Sequence, residues 1–359
     1  MKKTTPSRPT MTDIAKVTGM SQSTVSLILN NATGAKFSEA TRAKVLKAAV
    51  DLGYRLAPRA PAAAGSNPGL IVYLADEIST SPHPVVNIDG ARDAAFAHGL
   101  LLAVFSTHGN AEVEQLVLDS ALANPDVVGV IYATVYTRQV KLPAGLRQVP
   151  TVLLNCYTDP AELSSVVPAE VAGGHLATEY LIHAGHRRIG FINGEPWQDA
   201  ARGRLKGYRT ALTTADLLFA PELVRDGDWS SGTGFEETLA LMRIEHPPSA
   251  IFCANDLMAL GAIEDLKQLN FRVPEDISVI GYDDQEIARH THPPLSTVVL
   301  PNYELGRWAV ETLLQETQNQ AAGAPVRRRT VKIDGPLIER GSVRVIAEAE
   351  MQEINNITN

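Results

Sequence analysis

Cysteine is scarce in this chain of 359 residues: there are only two, Cys156 and Cys253. Neither belongs to a C-x-x-C pair or a Cys/His cluster, so the sequence offers no metal site. Both lie in apolar, strand-like runs and are expected as small core residues. No stretch of about 18 apolar residues exists, which rules out a membrane-spanning helix. The first ten residues, MKKTTPSRPT, are basic, but no apolar segment follows them, so they do not read as a signal peptide and a cytoplasmic location is expected. There is no P-loop, and the glycines after RIGFING do not form G-x-G-x-x-G. With no nucleophile–base pair either, an enzyme has no support, and no cofactor is implied.

Acid outweighs base. The net charge of −8 would by itself argue against a nucleic-acid partner. Its distribution says otherwise. Residues 1–64 hold ten Lys/Arg against three acids, Asp13, Glu39 and Asp51, so the rest of the chain is more acidic than the total. A basic head on an acidic body suits a phosphate-binding domain joined to one with another task. The length allows two or three domains.

The basic head begins with TMTDIAKVTGMSQSTVSLILN, residues 10–30. Thr10 and Asp13 have the spacing of a capping box, and Met11, Ile14, Ala15 and Val17 predict the apolar face of a short helix. Gly19 suits its left-handed end. Ser21 reads as the N-cap of a second helix whose buried face is Val25, Ile28 and Leu29. A third helix follows, with Ser38 as N-cap, Val45, Leu46, Ala49 and Leu52 as apolar face, and Gly53 as stop. Two helices joined by a tight turn, the second presenting small polar side chains, fit a major groove.

These segments, with L-N-N, S-E-A-T-R-A-K-V-L-K-A-A and L-G-Y-R, resemble the DNA-binding headpiece of the lactose-repressor (LacI/GalR) family, whose members work in the bacterial cytoplasm on nucleoid DNA. The resemblance implies an all-α helix-turn-helix headpiece over 1–55. It places Gln22, Ser23 and Leu27 against base edges. Glutamine can read adenine by two bonds, whereas leucine can meet only a thymine methyl. Thr12, Ser21, Thr24, Ser26, Asn30 and Arg55 complete the DNA-facing set, with Thr24, Ser26 and Asn30 suited to phosphates.

Residues 56–69, LAPRAPAAAGSNPG, read as a linker. In the family this place holds a hinge helix that wedges a leucine into the minor groove. Here the matching positions are Pro61, Ala62 and Ala63, which removes the wedge and the basis for DNA bending.

From residue 70 strands and helices alternate, predicting parallel sheets covered on both faces. HLATEYLIHAGHRRIGFING, RLKGYRTAL, GDWSSGTGF, PSAIFCANDLMALGAIEDL and ISVIGYDDQEIARHTHPPLSTV resemble the family's effector-binding core. That implies a two-lobed α/β fold like a sugar-binding periplasmic protein, with doubly wound parallel sheets, over 70–343. Lobe one is expected at about 70–184 and 301–328, lobe two at about 185–300 and 329–343, and a tail at 344–359. The tail is too poor in apolar residues for a sustained heptad seam, so a homodimer is expected rather than a tail-held tetramer.

Ligands of such cores sit at strand carboxyl ends. The resemblance assigns effector contacts to Ser81, His83, Arg204, Trp229, Asn255 and Asp283. Arginine suits hydroxyls or a carboxylate, tryptophan a sugar face or a base, and Asn and Asp the hydroxyl protons. Asp256 is expected to cap the helix starting near Leu257, and Asp284 to brace its loop. Where the family has an aspartate before a helix, the chain has Ala169 followed by Glu170. Where it has glutamine before proline, the chain has Leu300 before Pro301. The pocket is therefore expected to be less polar than a typical sugar site.

The implied function is a ligand-responsive repressor that binds double-stranded operator DNA and a carbohydrate effector, with a nucleobase or less polar metabolite as the alternative effector. A sugar receptor without a DNA role is the competing function, and the headpiece argues against it.

Overall fold

The computed structural model describes residues 10–29, 38–52 and 68–346. The headpiece has three helices: α1 (Met11–Thr18), α2 (Gln22–Leu29) and α3 (Glu39–Asp51). The expected caps form. Thr10 and Asp13 exchange both bonds of a capping box. Gly19 ends α1 at φ 67°, a left-handed conformation that glycine adopts without strain. Ser21 Oγ accepts from Thr24 N at 3.0 Å, and Ser38 Oγ from Thr41 N at 3.1 Å. Ile14, Val25 and Val45, one from each helix, are fully buried. Two expected core residues are instead exposed, Val17 and Leu46. Each lies on the outward side of its helix, and Ala48 takes the inward place on α3. Gly53, Arg55, Asn30 and the linker residues Pro61, Ala62 and Ala63 lie outside the described residues.

The chain divides into two compact units, with the headpiece falling in the first. Unit one comprises 1–168 and 301–333, and unit two 169–300 and 334–359. Unit one contains β1 (Leu70–Ala75), α4 (His83–Ala97), β2 (Leu101–Ser106), α5 (Ala111–Ala123), β3 (Val127–Gln139), β4 (Thr151–Tyr157) and β5 (Ser165–Pro168). The chain returns to it for α10 (Asn302–Ala321) and β11 (Thr330–Ile333). Its six-stranded parallel sheet runs β11-β5-β4-β3-β1-β2.

Unit two contains α6 (Glu170–His183), β6 (Ile189–Asn193), α7 (Asp199–Thr214), β7 (Val224–Asp226), α8 (Ser231–Met242), β8 (Ala250–Cys253), α9 (Asp256–Gln268), β9 (Ser278–Asp283), β10 (Ser296–Val299) and β12 (Leu337–Ile338). Its sheet runs β12-β10-β9-β8-β6-β7, parallel except that β12 is antiparallel to β10. The continuous apolar strands behave as expected of sheets covered on both faces: β1, β4, β6, β8 and β9 are almost wholly buried. Cys156 and Cys253 are buried free thiols inside the sheets. Among the described residues no helix is long and apolar enough to cross a membrane.

Two expected boundaries move. The first crossover comes at 168/169 rather than 184/185, so α6 belongs to unit two. Its Ala177 and Leu181 join the unit-two core. Glycines on both helices let α6 and α7 approach closely: a Cβ on Gly174 of α6 would stand 2.4 Å from the Arg204 carbonyl oxygen, and one on Gly207 of α7 2.3 Å from that of Val171. The last crossover falls at 333/334 rather than 328/329, because β11 pairs with β5.

Candidate functional site

Three neighbouring parallel strands of unit two, β9, β8 and β6, end side by side. Asn193 closes β6, Asn255 follows β8 by two residues, and Asp283 closes β9. Polar side chains thus gather where backbone groups leave the sheet, the usual place for ligand recognition in such folds. The backbone there is unusual. Trp229, Asp283 and Asp284 hold φ values of 70°, 111° and 53°. Non-glycine residues pay for such conformations, about 1–3 kcal/mol each, and they cluster where function requires an aimed side chain.

Arg204 is the centre of this cluster. The glycine-lined contact of α6 with α7 brings Glu170, the first residue of α6, onto the guanidinium. Nε donates to Glu170 Oε2 at 2.7 Å and Nη2 to Oε1 at 3.1 Å, a bidentate pair. Nη1 donates to the Ala254 carbonyl and lies 3.8 Å from Asp283 Oδ1. The guanidinium carbon sits 3.7 Å from the Tyr282 ring centroid and 5.5 Å from that of Trp229. Arg204 is only 3% exposed and Glu170 8%. Burial opposes the arginine's charge, but Glu170, Tyr282 and Asp283 together raise its pKa, so it stays charged. Burial, and then Glu170, pushes the Tyr282 hydroxyl pKa upward.

The other predicted residues take more specific roles. Asn255, not Asp256, is the N-cap of α9: its Oδ1 accepts from Met258 N at 2.8 Å, and its Nδ2 donates to the Trp229 carbonyl at 2.9 Å. Asn255 therefore positions Trp229, with its own amide largely engaged. Asp256 lies beneath, accepting from Gln285 N at 2.7 Å and Thr297 Oγ1 at 2.6 Å. Burial, then Asp283, raises its pKa well above the usual carboxylate range. Asp284 braces its loop as expected, pairing with Arg340 and, at 3.6 Å, Arg289. Asp283 Oδ2 accepts from Gln285 Nε2 at 3.1 Å. The Trp229 ring rests on Gly194, where a Cβ would stand 1.9 Å away. Trp229 Nε1 and Asn193 Oδ1 are buried without a partner among the described residues.

Glu170, Tyr282 and Asn193 were not picked out as contacts from sequence. Glu170 was visible there only as the neighbour of the anomalous Ala169. It pairs with Arg204 inside unit two. Leu300 does pack against the apolar core.

In unit one, His83 opens α4. Its Nδ1 lies 3.1 Å from Asn302 Nδ2 of α10, and Ser81 Oγ accepts from His83 N at 3.3 Å. Ser81 thus orders the turn that leads into α4. A second polar group that sequence reasoning missed stands at the end of β1. Asp76 accepts from Val135 N and from Arg138 Nη2, both at 2.8 Å. The long β3, running to Gln139 with a register shift after Ala133, supplies those partners.

The headpiece carries two departures from expectation. Ser21 is buried and occupied as a cap, so it serves the fold of α2. Gln22, expected at base edges, is also buried, and its Nε2 donates to Glu304 Oε1 at 3.2 Å. Tyr303 of α10 joins the headpiece core, with Val86 of α4 packed against it. Burial raises the pKa of Glu304, against which Arg307 and the Gln22 bond act. Thr24 is half-buried, while Thr12 lies on α1 and Ser23, Ser26 and Leu27 lie on α2.

A three-helix headpiece joined to two parallel-rich sheets, with polar residues gathered at strand ends, defines the class of DNA-binding regulators with a ligand-binding core. Residues 10–56 match the model of bacterial regulatory proteins of the lacI family, and residues 178–343 that of the periplasmic binding protein-like domain. The ribose operon repressor of Haemophilus influenzae is 33% identical over 86% of this chain and 92% of its own. The HTH-type transcriptional repressor CytR of Escherichia coli K12 is 31% identical over 94% and 97%. The lac repressor dimer, solved bound to operator and the anti-inducer ONPF, aligns with TM-score 0.65 at 29% identity, covering 94% of this chain and all of that one. The chain belongs to the LacI family of bacterial regulatory proteins.

Proposed function

We propose that this LacI-family regulator is a repressor that binds operator DNA as a homodimer in the bacterial cytoplasm, with an affinity set by a sugar or sugar derivative held in its core. The observation that carries the reading is the cluster of buried Arg204, Glu170 and Asp283 with half-buried Trp229 at neighbouring strand ends, in the same chain as a capped helix-turn-helix. An aromatic face beside charged and amide groups matches the two sides of a sugar ring. Ligand and operator then act on one equilibrium, so each changes the other's affinity by the same factor. Because Pro61, Ala62 and Ala63 replace the usual wedge, coupling is expected near the lower end of the common range, about 5-fold. Operator affinity at fixed salt, with and without a stabilising sugar, tests this. Equal affinities would leave the core as a dimerisation platform only.

The dimer reading rests on unit one. Strand β2 is the sheet edge, and its Leu101, Val104 and Phe105 are exposed, as are Phe96 of α4 and Val113 and Leu116 of α5. A long apolar edge is a pairing hazard unless covered, and a second copy covers it while presenting two headpieces to two half-sites. Sedimentation of the wild type at micromolar concentration should give a dimer mass, and Phe105→Asp a monomer. A monomeric wild type would reject the dimer.

The Gln22–Glu304 bond suggests competition for α2, since a glutamine amide held by Glu304 does not reach a base edge. Glu304→Ala should raise operator affinity about 2- to 10-fold, the net worth of one hydrogen bond. A fluorescence-anisotropy titration reads this directly, and an unchanged or weaker affinity would mean that the docked headpiece does not oppose DNA binding.

A further inference from the structure

In unit two, most of the Arg204 donors are committed before any ligand arrives. An arginine carries five N–H donors. Those of Nε, Nη1 and Nη2 already serve Glu170 and the Ala254 carbonyl. Nη1 also lies 3.8 Å from Asp283 Oδ1, which accounts for four of the five and leaves the second N–H of Nη2. Around this single cation stand two carboxyl groups, Glu170 and Asp283, both nine-tenths buried or more, with Asp256 below them. Acceptor capacity is therefore in surplus. The Asn193 Oδ1 acceptor adds to it, and the indole Nε1 of Trp229, whose ring lies within the same cluster, is a buried donor without a partner among the described residues.

An anion entering here would meet two carboxyl groups and an arginine whose charge is already answered. It would lose its water and gain little in return. A hydroxyl or ammonium group would instead donate into oxygens that have spare lone pairs. We infer that unit two selects its effector by charge: the group seated beside Arg204 is a neutral hydroxyl-bearing or cationic one, carboxylates and phosphates are rejected, and Glu170 is the residue that sets this choice. This rests on the reading of the cluster as the effector site. Glu170 acts through Arg204 as well as directly, because removing its charge frees the guanidinium fork for an anion.

The test uses the full-length protein and sets of compounds that share a ring and differ at one substituent, neutral, cationic or anionic. One set is D-glucosamine, D-glucose and D-glucuronate; others are D-ribose with D-ribose 5-phosphate, and adenosine with adenosine monophosphate. Thermal shift finds which compounds bind, and calorimetry measures their affinities. In the wild type, binders should be neutral or cationic, each exceeding its acidic counterpart by about 10-fold or more, the worth of one charged hydrogen bond. In Glu170→Gln that gap should close or reverse. A wild type that binds the acidic member as tightly as its neutral counterpart, or more tightly, overturns the inference while leaving the effector site standing. If Glu170→Gln does not fold, the wild-type comparison still decides. No stabilisation by any of these compounds overturns the sugar-effector reading, and this inference with it.

Discussion

Replacing Arg204 with alanine is expected to destabilise unit two by about 3–5 kcal/mol, the usual cost of removing one partner from a buried ion pair. The substitution leaves Glu170 and Asp283 facing each other with no cation between them, and frees the Ala254 carbonyl inside the unit. Sequence resemblance alone would make Arg204→Ala a clean loss of effector response in a sound fold, with a repressor permanently on its operator. The bidentate clamp predicts instead a protein that unfolds at markedly lower urea concentration. The double variant Glu170→Leu with Arg204→Met should recover much of the loss, since a well-packed apolar pair of similar shape often replaces a buried ion pair without penalty. Urea unfolding followed by circular dichroism separates the two accounts. A wild-type unfolding midpoint in Arg204→Ala would show that the arginine is a ligand contact and not a clamp.

Ile14→Ala is expected to disable the headpiece while sparing the core. Ile14 is fully buried between α1 and its partners, with Val25 and Val45 in the same small cluster. Removing three buried carbons from such a site costs about 2–5 kcal/mol. A three-helix domain of this size has little more than that to lose, because small domains bury a small share of their surface. Operator affinity should fall at least about 10-fold as the folded headpiece becomes a minor population. The melting temperature of the core, and its sugar affinity where a sugar binds, should stay as in the wild type. Unchanged operator affinity would mean that packing on Tyr303 and Val86 holds the headpiece together without Ile14.

These two sites differ in how far they could be read from the chain. The caps at Thr10, Gly19, Ser21 and Ser38 each close within four residues, so local spacing was enough to find them. Strands β1, β4, β6, β8 and β9 could also be read, because a strand buried on both faces must be apolar throughout. Helix faces were less certain. Val17 and Leu46 satisfy a helical period yet face outward, since a period defines a stripe and only the neighbouring helix decides which edge of it is covered.

What the sequence alone determined was the kind of protein: a basic, capped helix-turn-helix ahead of alternating strands and helices, with Arg204, Trp229, Asn255 and Asp283 marked out. Tertiary structure decided what those residues are free to do. Asn255 rather than Asp256 caps α9, because the helix starts one residue earlier and Asp256 finds Thr297 and Gln285. Gln22 meets Glu304 across a separation of 282 residues. Glu170 reaches Arg204 because glycines let α6 and α7 touch through their backbones. Caps and periods are short-range and leave their mark in neighbouring letters. Ion pairs between helices depend on packing of the whole unit, and no local spacing records them.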